Sequence, residues 1–171
     1  MKILGIDPGI GITGFGLIET SSRASARALD FGVITTTMNA PLPGRLKELY
    51  DSLQEVFEST KPDVVSIEKL FFSKNITTGI AVAHGRGVIL LACRKFGVRV
   101  YEYTPLQVKQ AVVGYGRAEK HQVMDMVKRL CRLPAPPKPD DAADAVALAI
   151  CHARSSTSLL FRGDQEECST I

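Results

Sequence analysis

The stretch KILGIDPGIGITGFGLIE, residues 2–19, constrains the fold more than any other part of the chain. The apolar residues over 3–6 predict a buried β-strand that ends at Asp7. The next two residues, Pro8-Gly9, are a strong turn signal. A second short strand, predicted over 13–18, completes a β-hairpin.

The position of Asp7 at the end of this strand has two interpretations. Strand alternation puts its side chain on the same face as Ile3 and Gly5. Asp7 either begins an Asx turn, which is the commonest use of Asp before Pro-Gly, or has a function outside the turn. The strand alone does not distinguish these two interpretations, and the positions of the other acidic residues are needed to choose between them.

The rest of the chain alternates between strand and helix patterns. After a polar turn over 20–27, a β-branched third strand is predicted over 28–37. The elements predicted beyond it are a helix over 43–60, a strand over 64–68, a helix over 78–95, a strand over 98–102, and three helices that begin at Pro105, cover 119–132 and include DDAADAVALAICHA. This order predicts an α/β fold with a mixed five-stranded sheet, in which an antiparallel three-strand meander is followed by parallel strands. Helices are expected on both faces.

Length and composition indicate a single folded domain. The 171 residues are 45% hydrophobic and 23% charged, which is an ordinary globular balance. We expect the domain to cover residues 1–154 and a flexible tail to cover 155–171. The four cysteines form no C-x-x-C pair, no secretory leader precedes Asp7, and the apolar runs are too short to span a bilayer. These features favour a cytoplasmic protein without a membrane partner.

Positive charge is concentrated in the middle of the chain. Residues 86–138 contain eleven Lys and Arg against three acidic residues, while the segments on either side carry an excess of acids. A basic region of this kind is typical of a surface that binds phosphate. The alternative is a solvated helix face, which charge distribution does not exclude.

Four acidic residues are candidates for one site. Glu68 ends its strand as Asp7 ends the first, so the two carboxylates meet if the strands are neighbours. The alternative for Glu68 is a surface strand end that pairs with Lys69. Asp141 and Asp144 are three residues apart and project from one side of the last helix. Asp141 could instead cap that helix, whereas Asp144 lies in a small, apolar and core-facing segment.

Four converging carboxylates require positive charge between them. Oxygen ligands without His or Cys suit Mg²⁺ or Mn²⁺. Two such ions about 4 Å apart would stabilise the attacking and leaving oxygens in phosphodiester hydrolysis. The sequence therefore predicts a two-metal site at Asp7, Glu68, Asp141 and Asp144.

Four motifs in order along residues 2–153 carry a resemblance to a known family: LGIDPGIGITGFG, IEKLFFSKN, VKQAVVGYGRAEKHQV and DDAADAVALAI. The chain resembles the RuvC family of bacterial crossover junction endodeoxyribonucleases, which have a ribonuclease-H-like fold. The resemblance implies that Asp7, Glu68, Asp141 and Asp144 are the catalytic acids. Some members have His at the position of Asp141, which this chain does not follow.

The resemblance also implies DNA contacts. By resemblance an exposed Phe71 would stack on an unpaired base, with Phe72 as the alternative; a core position is the commoner use of either residue. Lys109 and Lys120 match lysines that bind DNA near the active centre, and Arg117 lies in the glycine-containing loop between them. Three further basic residues are expected to extend the positive surface: Lys74, Arg129 and Arg132.

The function implied by the resemblance is the resolution of four-way Holliday junctions by symmetric, Mg²⁺-dependent cuts on two opposed strands. It also implies a homodimer formed by the helix over 78–95 and cooperation with the RuvA–RuvB branch-migration complex. The predicted interface includes Ala83, Gly85 and Ile89, although packing of the whole helix on its own sheet is an alternative. Two other functions are open: an ATP-binding protein of the actin or sugar-kinase type, and a junction-binding module without catalysis.

Overall fold

The computed structural model describes residues 1–22, 25–70 and 76–155. Its elements are β1 (Lys2–Asp7), β2 (Ile12–Ser22), β3 (Ser25–Thr35), α1 (Leu42–Thr60), β4 (Val64–Glu68), α2 (Ile76–Lys95), β5 (Arg99–Tyr103), α3 (Pro105–Val113), α4 (Lys120–Leu130) and α5 (Asp140–Ser155). Every predicted element is present. The polar turn predicted over 20–27 is wrong in extent, because β2 continues to Ser22 and β3 begins at Ser25.

The five strands form one mixed sheet in the order β3-β2-β1-β4-β5. β1 pairs antiparallel with β2, and β2 pairs antiparallel with β3, which gives the predicted meander. β1 and β4 are parallel, as are β4 and β5. The predicted α/β fold class and mixed sheet are therefore confirmed, and β1 is a central strand with neighbours on both sides.

Helices cover both faces of the sheet and form two cores. On one face, α5 packs with α3 and α4 against residues such as Ile3 and Ile18. On the other face, α1 and α2 cover residues such as Leu4, Ile6 and Val65. Because side chains alternate along β1, Ile3 and Leu4 enter different cores, and Asp7 lies on the face that α5 covers.

Local sequence signals set the ends of α3. Thr104 directly follows β5 and caps the helix: the Gln107 amide donates to Thr104 Oγ1 at 3.2 Å, and the Thr104 amide donates to Gln107 Oε1 at 2.8 Å. Pro105 occupies the first turn, and Gly114 ends the helix with a φ of 101°. The short β5–α3 connection fixes α3 at the same sheet edge as the end of β4.

α2 buries one side and exposes the other. Gly85, Ile89 and Ala92 are buried on the sheet side, while Ile80 and Leu91 are 51% and 55% exposed. Gly85 and Ile89 were predicted to lie in a dimer interface, and this is wrong because the protein's own core covers them. The described structure contains no helix both long and apolar enough to cross a membrane.

Candidate active site

Two of the predicted acids end adjacent parallel strands. Ile6 of β1 pairs with Ile67 of β4, and Asp7 and Glu68 are the next residues of their strands. Ser66, two residues before Glu68 and on the same face, donates a hydrogen bond of 2.8 Å to a backbone carbonyl of α5. Asp7 and Glu68 therefore point to the face covered by α5, at one edge of the sheet.

Glycines on this face let α5 approach the sheet closely. A Cβ atom at Gly5 would lie 2.9 Å from the Ala149 amide nitrogen, and one at Gly14 would lie 2.5 Å from the Asp141 carbonyl carbon. Real Cβ atoms almost never show contacts this short, so only glycine permits this separation of sheet and helix. Gly14 is also the β2 partner of Asp7. The missing side chain of Gly14 thus brings the first turn of α5 beside Asp7.

The remaining two acids are carried by α5. Asp141 lies within the first turn of this helix and not at its N-cap position, and Asp144 follows three residues later. Residues 142–153 are buried apart from Asp144, which is half-buried. The helix is therefore fixed by its apolar residues, and its carboxylates are directed to the edge where β1 and β4 end.

Burial and mutual repulsion perturb the acids. Burial raises the pKa of Asp7 to about 7, with further contributions from Glu68, Asp144 and Asp141. Burial also raises the pKa of Glu68, and Asp144 adds to the effect. The pKa of Asp144 is raised by burial and by neighbouring acids, although Lys120 opposes the shift. Asp7 therefore interacts electrostatically with the other three acids.

Lys120 supplies positive charge to this edge. Its Nζ lies 3.2 Å from Asp144 Oδ2 and 3.3 Å from Asp140 Oδ2. Burial lowers the pKa of Lys120, but the two carboxylates outweigh it and the net shift is upward. A cleft of about 240 Å³ opens here, lined by Glu68, Pro105, Val108, Lys109, Lys120, Val123, Asp144 and Leu148. A larger cleft of about 540 Å³ beside Phe57 and Phe96 is lined by one acid, Glu58, and by none of the four candidate acids.

The predicted DNA contacts are only partly described. Lys109 lines the cleft with Lys120, and Arg117 is exposed in the segment between α3 and α4. Arg129 is exposed at the far end of α4, about 14 Å along the helix from Lys120 at the usual rise per residue. Arg132 is exposed beyond that end. The predictions for Phe71, Phe72 and Lys74 fall outside the described residues.

Comparison with known proteins assigns the family. The family model described as crossover junction endodeoxyribonuclease RuvC matches residues 3–152. The chain belongs to the RuvC family. Its sequence is 54% identical over 155 residues to the RuvC protein of Ruminiclostridium cellulolyticum, covering 91% of this chain and 93% of that relative. It is 49% identical to the RuvC protein of Caldicellulosiruptor saccharolyticus, covering 96% and 99% of the two chains.

A solved structure agrees with this assignment. Thermus thermophilus RuvC in complex with a Holliday junction substrate matches with a TM-score of 0.89 and 34% sequence identity, over 98% of this chain and 99% of that one. The predicted family and its ribonuclease-H-like fold are confirmed. RuvC proteins are endodeoxyribonucleases by name, so the enzyme class is a hydrolase that acts on DNA.

RuvC nucleases are metal-dependent in general, and the residues at this edge fit such an ion. The donor set consists of hard carboxylate oxygens. The pKa of Asp7 is raised first by burial and then by the neighbouring acids, and a bound cation would offset both effects. Within the described ranges, no three His, Cys, Asp or Glu side chains form a complete metal-binding group as they stand. The ammonium group of Lys120 lies against Asp144 in this arrangement.

Hydrogen bonds that were not predicted from the sequence support the turn after Asp7. Thr36 donates through its hydroxyl to the Ile10 carbonyl at 2.6 Å, and Arg45 Nε donates to Thr36 Oγ1 at 2.9 Å. Thr13 donates through its hydroxyl to the carbonyl of Gly9. These bonds link the turn to β2, to the residue that follows β3, and to α1. No local sequence pattern predicts them. The glycines that admit α5 did have a signal, because Gly14 and Gly16 alternate on one face of β2.

Proposed function

We propose that this protein resolves four-way Holliday junctions by hydrolysing phosphodiester bonds on two opposed DNA strands. The observation that carries the proposal is the convergence of Asp7, Glu68, Asp141 and Asp144 at one sheet edge in a chain of the RuvC family. Two RuvC features support the substrate: the family description names a crossover junction, and the Thermus thermophilus protein was solved with a Holliday junction.

The four acids are the proposed ligands of two Mg²⁺ ions, for which Mn²⁺ would substitute. Such ions supply charge stabilisation to the attacking and leaving oxygens of the phosphodiester. The protein's own contribution is to hold the carboxylates in place. Asp7 and Glu68 sit on adjacent central strands, and Asp141 and Asp144 sit on a helix that is buried against those strands. A rigid support of this kind suits a reaction that depends on positioning.

Basic residues around the cleft are the proposed DNA contacts. Lys109 and Lys120 line the cleft, and Arg117 is exposed in the segment between α3 and α4. Lysine and arginine in this position would bind backbone phosphates and release counterions, so binding should weaken as salt rises. Phe71 remains the proposed base-stacking residue, with Phe72 and Lys74 as neighbouring contacts.

A homodimer is the proposed active form, because paired cuts on a junction with approximate two-fold symmetry need two symmetry-related sites. The exposed side of α2 supports this proposal. Ile80, His84, Gly87 and Leu91 are all exposed, and their spacing of four, three and four residues places them along one stripe. The space around Gly87 is open, so a second helix could approach closely there. The same stripe on a partner would cover the two exposed apolar side chains.

Two further proposals come from the family resemblance. The protein is proposed to work beside the RuvA–RuvB branch-migration complex, which would deliver junctions to it. Its proposed location is the cytoplasm, where bacterial chromosomal DNA lies.

Amide variants of the acids test the proposed function. Asp7→Asn, Glu68→Gln, Asp141→Asn and Asp144→Asn should each abolish nicking of a synthetic mobile junction in Mg²⁺. Each variant should still bind the junction in a gel-shift assay, because basic residues and not the acids hold the phosphates. Asp125→Asn, at an exposed position of α4, removes one acid elsewhere and should cut normally. An amide variant that cuts at a near-normal rate would remove that acid from the site.

A further inference from the structure

Asp140 is an acid outside the predicted ligand set that shares a lysine with the site. Lys120 Nζ lies 3.3 Å from Asp140 Oδ2 and 3.2 Å from Asp144 Oδ2, so the ammonium group bridges the two carboxylates. The side chain of Asp140 is 57% exposed, whereas that of Asp144 is 34% exposed and lines the cleft. Lys120 therefore lies between Asp140 at the rim of the cleft and Asp144 in its lining.

This bridge creates a conflict when a divalent cation binds. A metal ion on Asp144 and the ammonium group of Lys120 would be two positive charges on one carboxylate, and like charges at this separation repel. Lys120 must then leave Asp144. Its side chain is 55% exposed and flexible, so without another partner it would move into solvent. Asp140 is the partner that the structure offers, one turn of α5 away from Asp144.

We propose that Asp140 is a positioning residue for Lys120. It retains the ammonium group at the rim when a metal ion takes Asp144, which eases metal entry and leaves Lys120 beside the incoming phosphate. The inference rests on the proposed function, because it requires that Asp144 binds metal. It adds a residue outside the four acids and outside the predicted DNA contacts.

Asp140 has two other possible effects, and both act without Lys120. A carboxylate in the first turn of a helix is favourable because of the helix dipole. Its negative charge could also attract a metal ion directly. Each of these effects persists when Lys120 is replaced, whereas positioning through Lys120 does not. A double-mutant cycle therefore separates positioning through Lys120 from both of the other effects.

The experiment measures Mn²⁺ binding by the loss of the free-Mn²⁺ signal in electron paramagnetic resonance, with full-length protein and without DNA. The proteins are the wild type, Asp140→Asn, Lys120→Met and the double variant. Asp140→Asn should weaken Mn²⁺ binding by about 3–10-fold, as expected for side chains in one ion-pair network. In the Lys120→Met background the same change should have less than about a twofold effect. Asp140→Glu keeps a carboxylate within reach and should restore wild-type affinity.

Controls distinguish this inference from the proposed function. Asp125→Asn removes one exposed acid of α4 and should leave Mn²⁺ affinity unchanged. Asp7→Asn should weaken Mn²⁺ binding whatever Asp140 does, so an unchanged affinity in that variant would count against the proposed metal site itself. If Asp140→Asn weakens binding equally with and without Lys120, or does not weaken it at all, Asp140 does not position Lys120.

Discussion

Gly14 offers a direct test of how the site is assembled. A methyl group at this position would lie 2.5 Å from the Asp141 carbonyl carbon, whereas ordinary contacts begin at 3.4 Å. The first turn of α5 would therefore have to move away from the sheet by about 1 Å, and a misplacement of that size in an active site can cost about 10²-fold in rate. Gly14→Ala should thus reduce cleavage by about two orders of magnitude.

The same substitution should also reduce stability. Overpacking in a core costs about 1–3 kcal/mol, which corresponds to a decrease in Tm of roughly 2–12 °C for a domain of this size. The assays are single-turnover nicking of a synthetic four-way junction in Mg²⁺ and thermal unfolding followed by circular dichroism. The nicking assay should be run at a temperature where the unfolding curve shows the variant to be folded.

Two control variants separate position from stability. Gly44→Ala adds a methyl group in α1 where the space is open, so it should leave cleavage unchanged and stability equal or slightly higher. Leu53→Ala removes a fully buried side chain on the opposite face of the sheet and should cost about 2–5 kcal/mol, yet keep the rate per folded molecule. Wild-type cleavage by a folded Gly14→Ala protein would refute the argument that this glycine positions Asp141.

Three further predictions follow from the structure and the sequence. Because the pKa of Asp7 is raised from 3.8 to about 7, the native state keeps a proton that the unfolded chain has lost, so metal-free protein should lose stability as the pH rises through this range. Asp7→Asn should flatten that dependence in chemical denaturation at several pH values, and an unchanged slope would assign it to other groups. Leu91→Glu places a charge on the exposed stripe of α2 and should yield a folded monomer in analytical sedimentation that no longer makes coordinated double cuts; a wild-type protein that is already monomeric at micromolar concentration, with or without junction DNA, would contradict the dimer. Phe71→Ala should impair cutting of an intact junction more than cutting of a pre-nicked one, and equal losses on both substrates would indicate a core position instead.

The sequence determined the elements and their order because the signals for them are local. Alternation of apolar residues, the Pro8-Gly9 turn and Pro105 at the start of a helix each act within a few residues, and these elements appear where predicted. The extent of the hairpin between β2 and β3 was misjudged, because the polar residues over 20–22 continue β2: the Thr20 amide donates to the Met1 carbonyl, and Ser22 pairs with Ser25 of β3. Pairing with neighbours outweighs local propensity there.

The sequence names the candidate acids but does not show how they are brought together. Acids at strand ends and in an alanine-rich helix, together with the family motifs, made Asp7, Glu68, Asp141 and Asp144 the candidates. These acids interact although up to 137 residues separate them in the chain. The interaction depends on β1 lying beside β4 and on α5 packing closely on the sheet. Neither condition is a local property of the residues concerned.

Only the tertiary structure decided which residues support the acids. The contact of Gly14 with α5, the bond from Arg45 to Thr36 and the bridge from Lys120 to Asp140 each join segments that are distant in sequence. Which side of α2 is buried and which is exposed could also be decided only from the folded structure, because apolar residues occur nearly all round this helix. The sequence states which chemical groups are present, and packing determines which of them meet, since contact energies depend on separations that only the folded chain defines.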